Sequence, residues 1–177
     1  MKATLHEELR FVRGAVLAKL DGLSEYDVRR PLTPTGTNLL GLVKHLATWE
    51  ARYFGEVFDR PFPRPLPPRG TDLWATEHES RTEVVEFYRS VWAHTDATIE
   101  GLPLDAPGRV SWWRKPEVTL FGVLLHMITE TTRHAGHADI LRESIDGAVG
   151  VDGAAPPSKD AIARCAAIES AARAAQA

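Results

Sequence analysis

Apolar positions recur along this chain at steps of three and four over four long stretches, the spacing of helices that each bury one face. In the first, from about Thr4 to Leu23, the stripe is Leu5, Leu9, Val12, Val16 and Leu20. The second, "NLLGLVKHLATWEARYFGEVFD", spans Asn38 to Asp59, with Thr37 as the expected cap. The third opens at "SRTE", where Ser80 and Glu83 have the spacing of a capping box. Its stripe is Val84, Tyr88, Val91, Trp92, Thr95 and Ile99, and it stops near Gly101 and Pro103. The fourth covers Thr119 to Ile145.

The connections are full of breakers. "RRPLTPTGT" separates the first two helices, and "RPFPRPLPPRG", with five prolines, predicts a stiff extended segment after the second. "LPLDAPGRVSWWRKPE" joins the last two, with a short extended piece expected around Val110 to Trp113. After Asp146 the periodicity decays: "GAVGVDGAAPPSKD" reads as a flexible connector and "AIARCAAIESAARAAQA" as an alanine-rich helix with a weak apolar face. The expected organisation is therefore all-α: a four-helix bundle over residues 1–146 and a helical appendage over 147–177. The long loops permit bundle neighbours that are not sequential. The appendage is either loosely held or packed on a second copy, which brings a homodimer within expectation. A short echo, "LLGLVKHL" against "LFGVLLHM", predicts that Gly41 and Gly122 serve one device, each letting another backbone approach.

Composition narrows the function. At 177 residues the chain suits one core; with 44% hydrophobic and 25% charged residues and a net charge of −3, nothing favours nucleic acid or an anionic membrane as partner. No apolar run approaches the length of about 18 residues that a membrane span needs. The N-terminus "MKATLHEELRFVRG" is charged and amphipathic, without the apolar centre of a signal peptide, so a cytoplasmic protein is expected. A single cysteine, Cys165, excludes an internal disulfide framework and a cysteine-based zinc cage.

The fourth helix carries the chemistry. In "LFGVLLHMITETTRHAGHADILRE", Glu130, His134 and His137 share one face, and His126, one turn earlier, extends it. A carboxylate and an imidazole four residues apart can converge on one ion, and a divalent metal would remove the cost of burying them. Two ligands from one helix need a third from a facing one. His45 is the best supply, because Leu42, His45, Leu46 and Trp49 share a face that should look inward. Each feature also has a plain structural reading: His45 and His126 as core histidines, Glu130 and His134 as an ordinary helical pair, Trp49, Trp92, Trp112 and Trp113 as packing aromatics. His137 could ligate, donate from behind a ligand, or line the site.

"KHL…WE" in the second helix, followed by "LLHMITETTRHAGHADILRE", resembles the DinB-like superfamily, in particular its mycothiol-dependent maleylpyruvate isomerases and bacillithiol transferases. The resemblance covers residues 1 to about 146 and implies a four-helix bundle whose metal ligands are His45, Glu130 and His134. Glutamate at the first position of the helix-four pair is the choice of the mycothiol-dependent isomerases. The common pattern follows the histidine with arginine, glycine and glutamine; here Ala135, Gly136 and His137 follow His134, so the substrate contacts do not transfer directly. The implied activity is metal-dependent activation of a low-molecular-weight thiol for transfer, isomerisation or detoxification of a small-molecule substrate. Zinc or nickel is the expected metal, with iron or manganese also suited to this ligand set. The competing expectations are a metal-dependent hydrolase on the same site and a non-catalytic bundle that binds a metal or small ligand in a stress-related role.

Overall fold

A computed structural model describes residues 1–149 and 158–175. Helices α1 (Lys2–Ala18), α3 (Leu39–Phe54), α4 (Arg81–Gly101) and α5 (Leu120–Asp146) form the bundle, and a short α2 (Glu25–Arg29) lies between the first two of these. α1 packs chiefly on α5, while α3 packs on both α4 and α5, and α1 touches α4 lightly. Helices consecutive in sequence, α1 and α3 or α4 and α5, thus face each other across the bundle, as the long loops allow.

Local chemistry sets the helix ends. α1 stops at Ala18, short of the expected Leu23, because the chain tightens into consecutive turns closed by Leu20 N–H to Leu17 O and Asp21 N–H to Ala18 O. α2 has no counterpart in the periodic pattern; Ser24 caps it, its hydroxyl accepting from the Asp27 amide. Asn38, not Thr37, caps α3, accepting from the Gly41 amide at 2.7 Å. α3 ends at Phe54, short of the expected Asp59. At the next residue, Gly55, a side chain would meet the Ala51 carbonyl, and a 3-10 turn over Glu56–Phe58 follows. Ser80 and Glu83 form the expected capping box of α4, and Thr119 caps α5. The extended piece is displaced from its expected place: β1 (Pro107–Arg109) pairs antiparallel with β2 (Glu117–Thr119), and Val110 to Trp113 lie in the intervening turn.

Two apolar clusters fill the bundle, one around Leu9, Phe54, Ile99 and Met127, the other around Val16, Leu46, Tyr88 and Leu141. A polar cluster is buried with them. Arg13 and Glu50, both fully buried, join α1 to α3 by two bonds of 2.7 and 3.0 Å, and Arg13 also donates to Asp96 of α4 at 2.8 Å. His6 meets the same Asp96 oxygen at 2.7 Å. The Arg13–Glu50 pair is charge-assisted and bidentate, so it fixes the alignment of α1 on α3 across the bundle.

The appendage forms α6 (Lys159–Ala174), capped by Ser158, and none of its residues is buried. Most of the expected connector lies outside the described residues. Among the described residues, no helix is long and apolar enough to cross a membrane.

Candidate metal centre

α3 and α5 lie side by side, and the 60–79 segment docks as a strap along α3, resting on α4 through Phe62 against Phe87 and Arg64 on Ser90 and bringing Leu73 and Trp74 to a pocket shared with His134 and His137. Arg52 holds the Pro67 carbonyl at 2.8 Å, and Lys44 holds the Trp74 carbonyl at 3.0 Å and Glu79 at 2.7 Å. The backbone at Leu73 comes so close to α3 that a Cβ on Gly41 would sit 2.1 Å from its carbonyl oxygen. Gly41 therefore does admit another backbone, that of a loop. Gly122 does not share the device: the nearest atom to its would-be Cβ is its own cap, Thr119 Oγ1, at 3.8 Å.

Under this strap, His45 from α3 and Glu130 and His134 from α5 converge. One ligand atom from each lies within 4.8 Å of the other two. His134 Nε2 is 3.1 Å and His45 Nε2 is 3.9 Å from the same Glu130 oxygen. Ligand atoms around a tetrahedral ion with bonds of about 2.1 Å stand about 3.4 Å apart, so small side-chain adjustments suffice to hold one. The three side chains are only 15 to 26% exposed. The donor set also fits electrically, because the near partners of the Glu130 carboxylate are two imidazoles and no Lys or Arg bridges to it among the described residues. Burial, reinforced by the neighbouring His45, holds His134 below the usual imidazole range, which keeps its lone pair free near neutral pH.

Both imidazoles are oriented from behind. His45 Nδ1 lies 2.7 Å from Asp72 Oδ2, so its proton sits on Nδ1 and its Nε2 lone pair faces Glu130. Asp72 is buried and accepts twice more, from Trp49 Nε1 at 3.0 Å and from the Gly70 amide at 3.1 Å. Burial by itself would raise the Asp72 carboxyl; the bonds from His45 and the backbone outweigh it and hold the group ionised, below its usual range. On the other side, His137 Nδ1 lies 3.3 Å from His134 Nδ1. Of the sequence candidates, then, His45, Glu130 and His134 come together, and His137 stands behind His134. His126 faces away into an aromatic cluster, its ring 4.8 Å from Tyr53 and 4.9 Å from Trp113.

Asp72 and the polar role of Trp49 escaped the sequence reading. A signal existed: Asp72 is the only acid between Asp59 and Glu77, in a proline-rich segment with no other reason to carry one.

The sequence profile of the mycothiol-S-transferases matches residues 4–147. The chain belongs to the mycothiol-S-transferase family. That match spans the whole bundle and bears out the DinB-like resemblance. A crystal structure of a conserved protein from Enterococcus faecalis superposes with a TM-score of 0.59 at 15% identity, covering 83% of this chain and 98% of that one. At that identity the likeness speaks for the fold alone. No functionally curated protein matches the sequence significantly.

Proposed function

We propose that this protein is a metal-dependent enzyme that activates a low-molecular-weight thiol of the mycothiol type for transfer to, or isomerisation or detoxification of, a small electrophile. The observation that carries this reading is the convergence of His45, Glu130 and His134 in a chain of the mycothiol-S-transferase family. Three protein ligands leave a position for an exogenous group, which is the pattern of a catalytic rather than a structural centre. Zinc or nickel fits two imidazoles and a carboxylate best, with iron and manganese next. When bound, such an ion supplies the Lewis acidity that makes a deprotonated thiol available near neutral pH.

The chain's own residues set the stage for that chemistry. Asp72 fixes the tautomer of His45 so that its Nε2 presents a lone pair, and His137, with its Nδ1 3.3 Å from His134 Nδ1, would accept the His134 proton if His134 Nε2 turned from Glu130 to an ion. No cysteine accompanies the ligands, and Cys165 is exposed on α6, so the nucleophilic sulfur has to be brought in. A cytoplasmic setting belongs to this reading, because small thiols are kept reduced there.

The test is to purify the protein without a histidine tag, determine its metal, and assay an electrophile panel with mycothiol, bacillithiol, glutathione or no thiol. Turnover that needs both the metal and one of the thiols is expected. Thiol-independent ester cleavage would identify a hydrolase instead, and metal-loaded protein that turns over nothing would identify a binding bundle.

A further inference from the structure

α5 has a second face, turned away from both the core and the metal centre. Phe121, Leu125, Thr129, Thr132, Gly136 and Ile140 recur at steps of three and four and line one side of the helix. All six are exposed, Leu125 at 46% and Ile140 at 64%. From Phe121 to Gly136 no charged residue falls within this stripe, and Thr129 gives its hydroxyl to the Leu125 carbonyl at 2.9 Å, which leaves its methyl group free to pack. α1 adds to the surface. It runs parallel to α5, Leu9 sharing a cluster with Met127, Val16 and Leu20 sharing one with Leu141, and Lys19 bridging Asp139 at 2.6 Å. Two turns before that bridge, Phe11 comes level with Thr131 and is 60% exposed. A contiguous apolar surface of this kind marks a site of association.

Gly136 is a notch in the stripe. Nothing within the chain accounts for it: an added Cβ would meet no atom within 4 Å, and glycine is a poor helix former. A missing side chain admits a surface that approaches from outside. Against a second α5 running antiparallel, the stripe is complementary to itself. With the two-fold axis between Thr129 and Thr132, Leu125 of one copy shares a layer with Gly136 of the other. Phe121 then shares a layer with Ile140, and Thr129 with Thr132. A parallel pairing would set Gly136 on Gly136 and Phe121 on Phe121, leaving one layer empty and another crowded. At about 200 Å² for a whole side chain, the exposed parts of Phe11, Phe121, Leu125 and Ile140 come to about 400 Å² per copy. The threonines, the Gly136 backbone and a polar rim carry that toward the roughly 600 Å² per copy at which stable pairs begin.

We infer that the protein forms a two-fold dimer by antiparallel packing of α5 on α5. The contact is isologous, each copy offering the same stripe. Glu130 and His134 lie on the opposite side of the helix, so both metal centres stay open, and Arg133 stands at the rim, where its charge keeps its water.

The test is sedimentation equilibrium of the full-length protein, compared with Leu125→Glu and Gly136→Gln. Both positions face outward, so each variant should keep wild-type helicity by circular dichroism. The wild type should be a dimer at about 50 µM, and each variant should weaken the pairing about a hundredfold or more. Cross-linking in a Cys165→Ser background reads the register. Leu125→Cys chains mixed with Gly136→Cys chains should form a disulfide-linked pair on oxidation. Leu125→Cys chains alone should not, because their sulfurs would stand about 16 Å apart along the helices. The cross-link decides alone if either substitution in the first set unfolds the chain. A monomeric wild type, a dimer that both variants leave intact, or Leu125→Cys chains that cross-link as well alone as in the mixture overturns the inference.

Discussion

Replacing Asp72 by Asn keeps the size of the side chain and removes its charge and one of its two acceptor oxygens. At present those oxygens serve three donors: His45 Nδ1 at 2.7 Å, Trp49 Nε1 at 3.0 Å and the Gly70 amide at 3.1 Å. In the variant, an amide group must face either the Gly70 amide or the two ring N–H groups. If it faces the rings, His45 escapes by moving its proton to Nε2, toward Glu130, where it blocks the lone pair that ligation needs. Loss of such a supporting carboxylate lowers metal affinity about 10–100-fold. That corresponds to about 1.4–2.7 kcal/mol. The assay is competition against a chromogenic chelator near neutral pH, with the folded state of the variant checked by circular dichroism. The apo protein should also melt lower, because a buried donor left without a partner costs about 1–3 kcal/mol. A folded Asp72→Asn protein with wild-type metal affinity would refute the claim that Asp72 orients His45.

Arg13→Ala strands the fully buried Glu50 carboxylate and should cost about 3–5 kcal/mol in urea unfolding, whereas Arg13→Met with Glu50→Leu should recover most of it. A loss below about 1 kcal/mol would mean that the pair is a bystander. Gly41→Ala drives a methyl into the Leu73 carbonyl, so the strap must lift; about 1–3 kcal/mol of stability should go, with weaker metal binding alongside. Unchanged melting and metal affinity would show that the close approach does not matter. Burial holds His94, His126 and His134 below the usual imidazole range, so the unfolded chain binds more protons than the folded one. Their contribution is complete above an unfolded value of about 6.5 and is lost as pH falls through the lower folded values. Added metal should supply about 2.7 kcal/mol at a hundredfold excess over its dissociation constant near pH 7.5, and much less near pH 5, where protons compete for the imidazoles. Equal melting shifts at the two pH values would contradict imidazole ligation.

The four bundle helices were legible because each writes its buried face at helical spacing, and the Ser80–Glu83 box and the Thr119 start of α5 are local signals. The convergence of Glu130 and His134 was legible for the same reason: one helix places both. His45 could be matched to them only through the facing geometry of α3, which a single sequence suggests through its inward face. What escaped depends on contacts between distant segments. Asp72 meets His45 because Lys44, Arg52 and Gly41 dock the proline-rich strap on α3, and no periodicity encodes a loop's path. Arg13 and Glu50 look like surface residues of amphipathic helices until α1 and α3 are seen to face each other across the bundle. The β1–β2 pairing was misplaced because three-residue strands carry almost no pattern, and the turn between them holds the apolar residues that suggested extension.

The central claim is that His45, Glu130 and His134 together hold one divalent ion. The most direct test is metal stoichiometry by elemental analysis after equilibrium dialysis, comparing the untagged protein with His45→Ala and His134→Ala. The account predicts about one ion per chain in the wild type and most of the affinity gone in either variant, since three ligands leave none to spare. A His45→Ala protein that keeps full stoichiometry and affinity would contradict it.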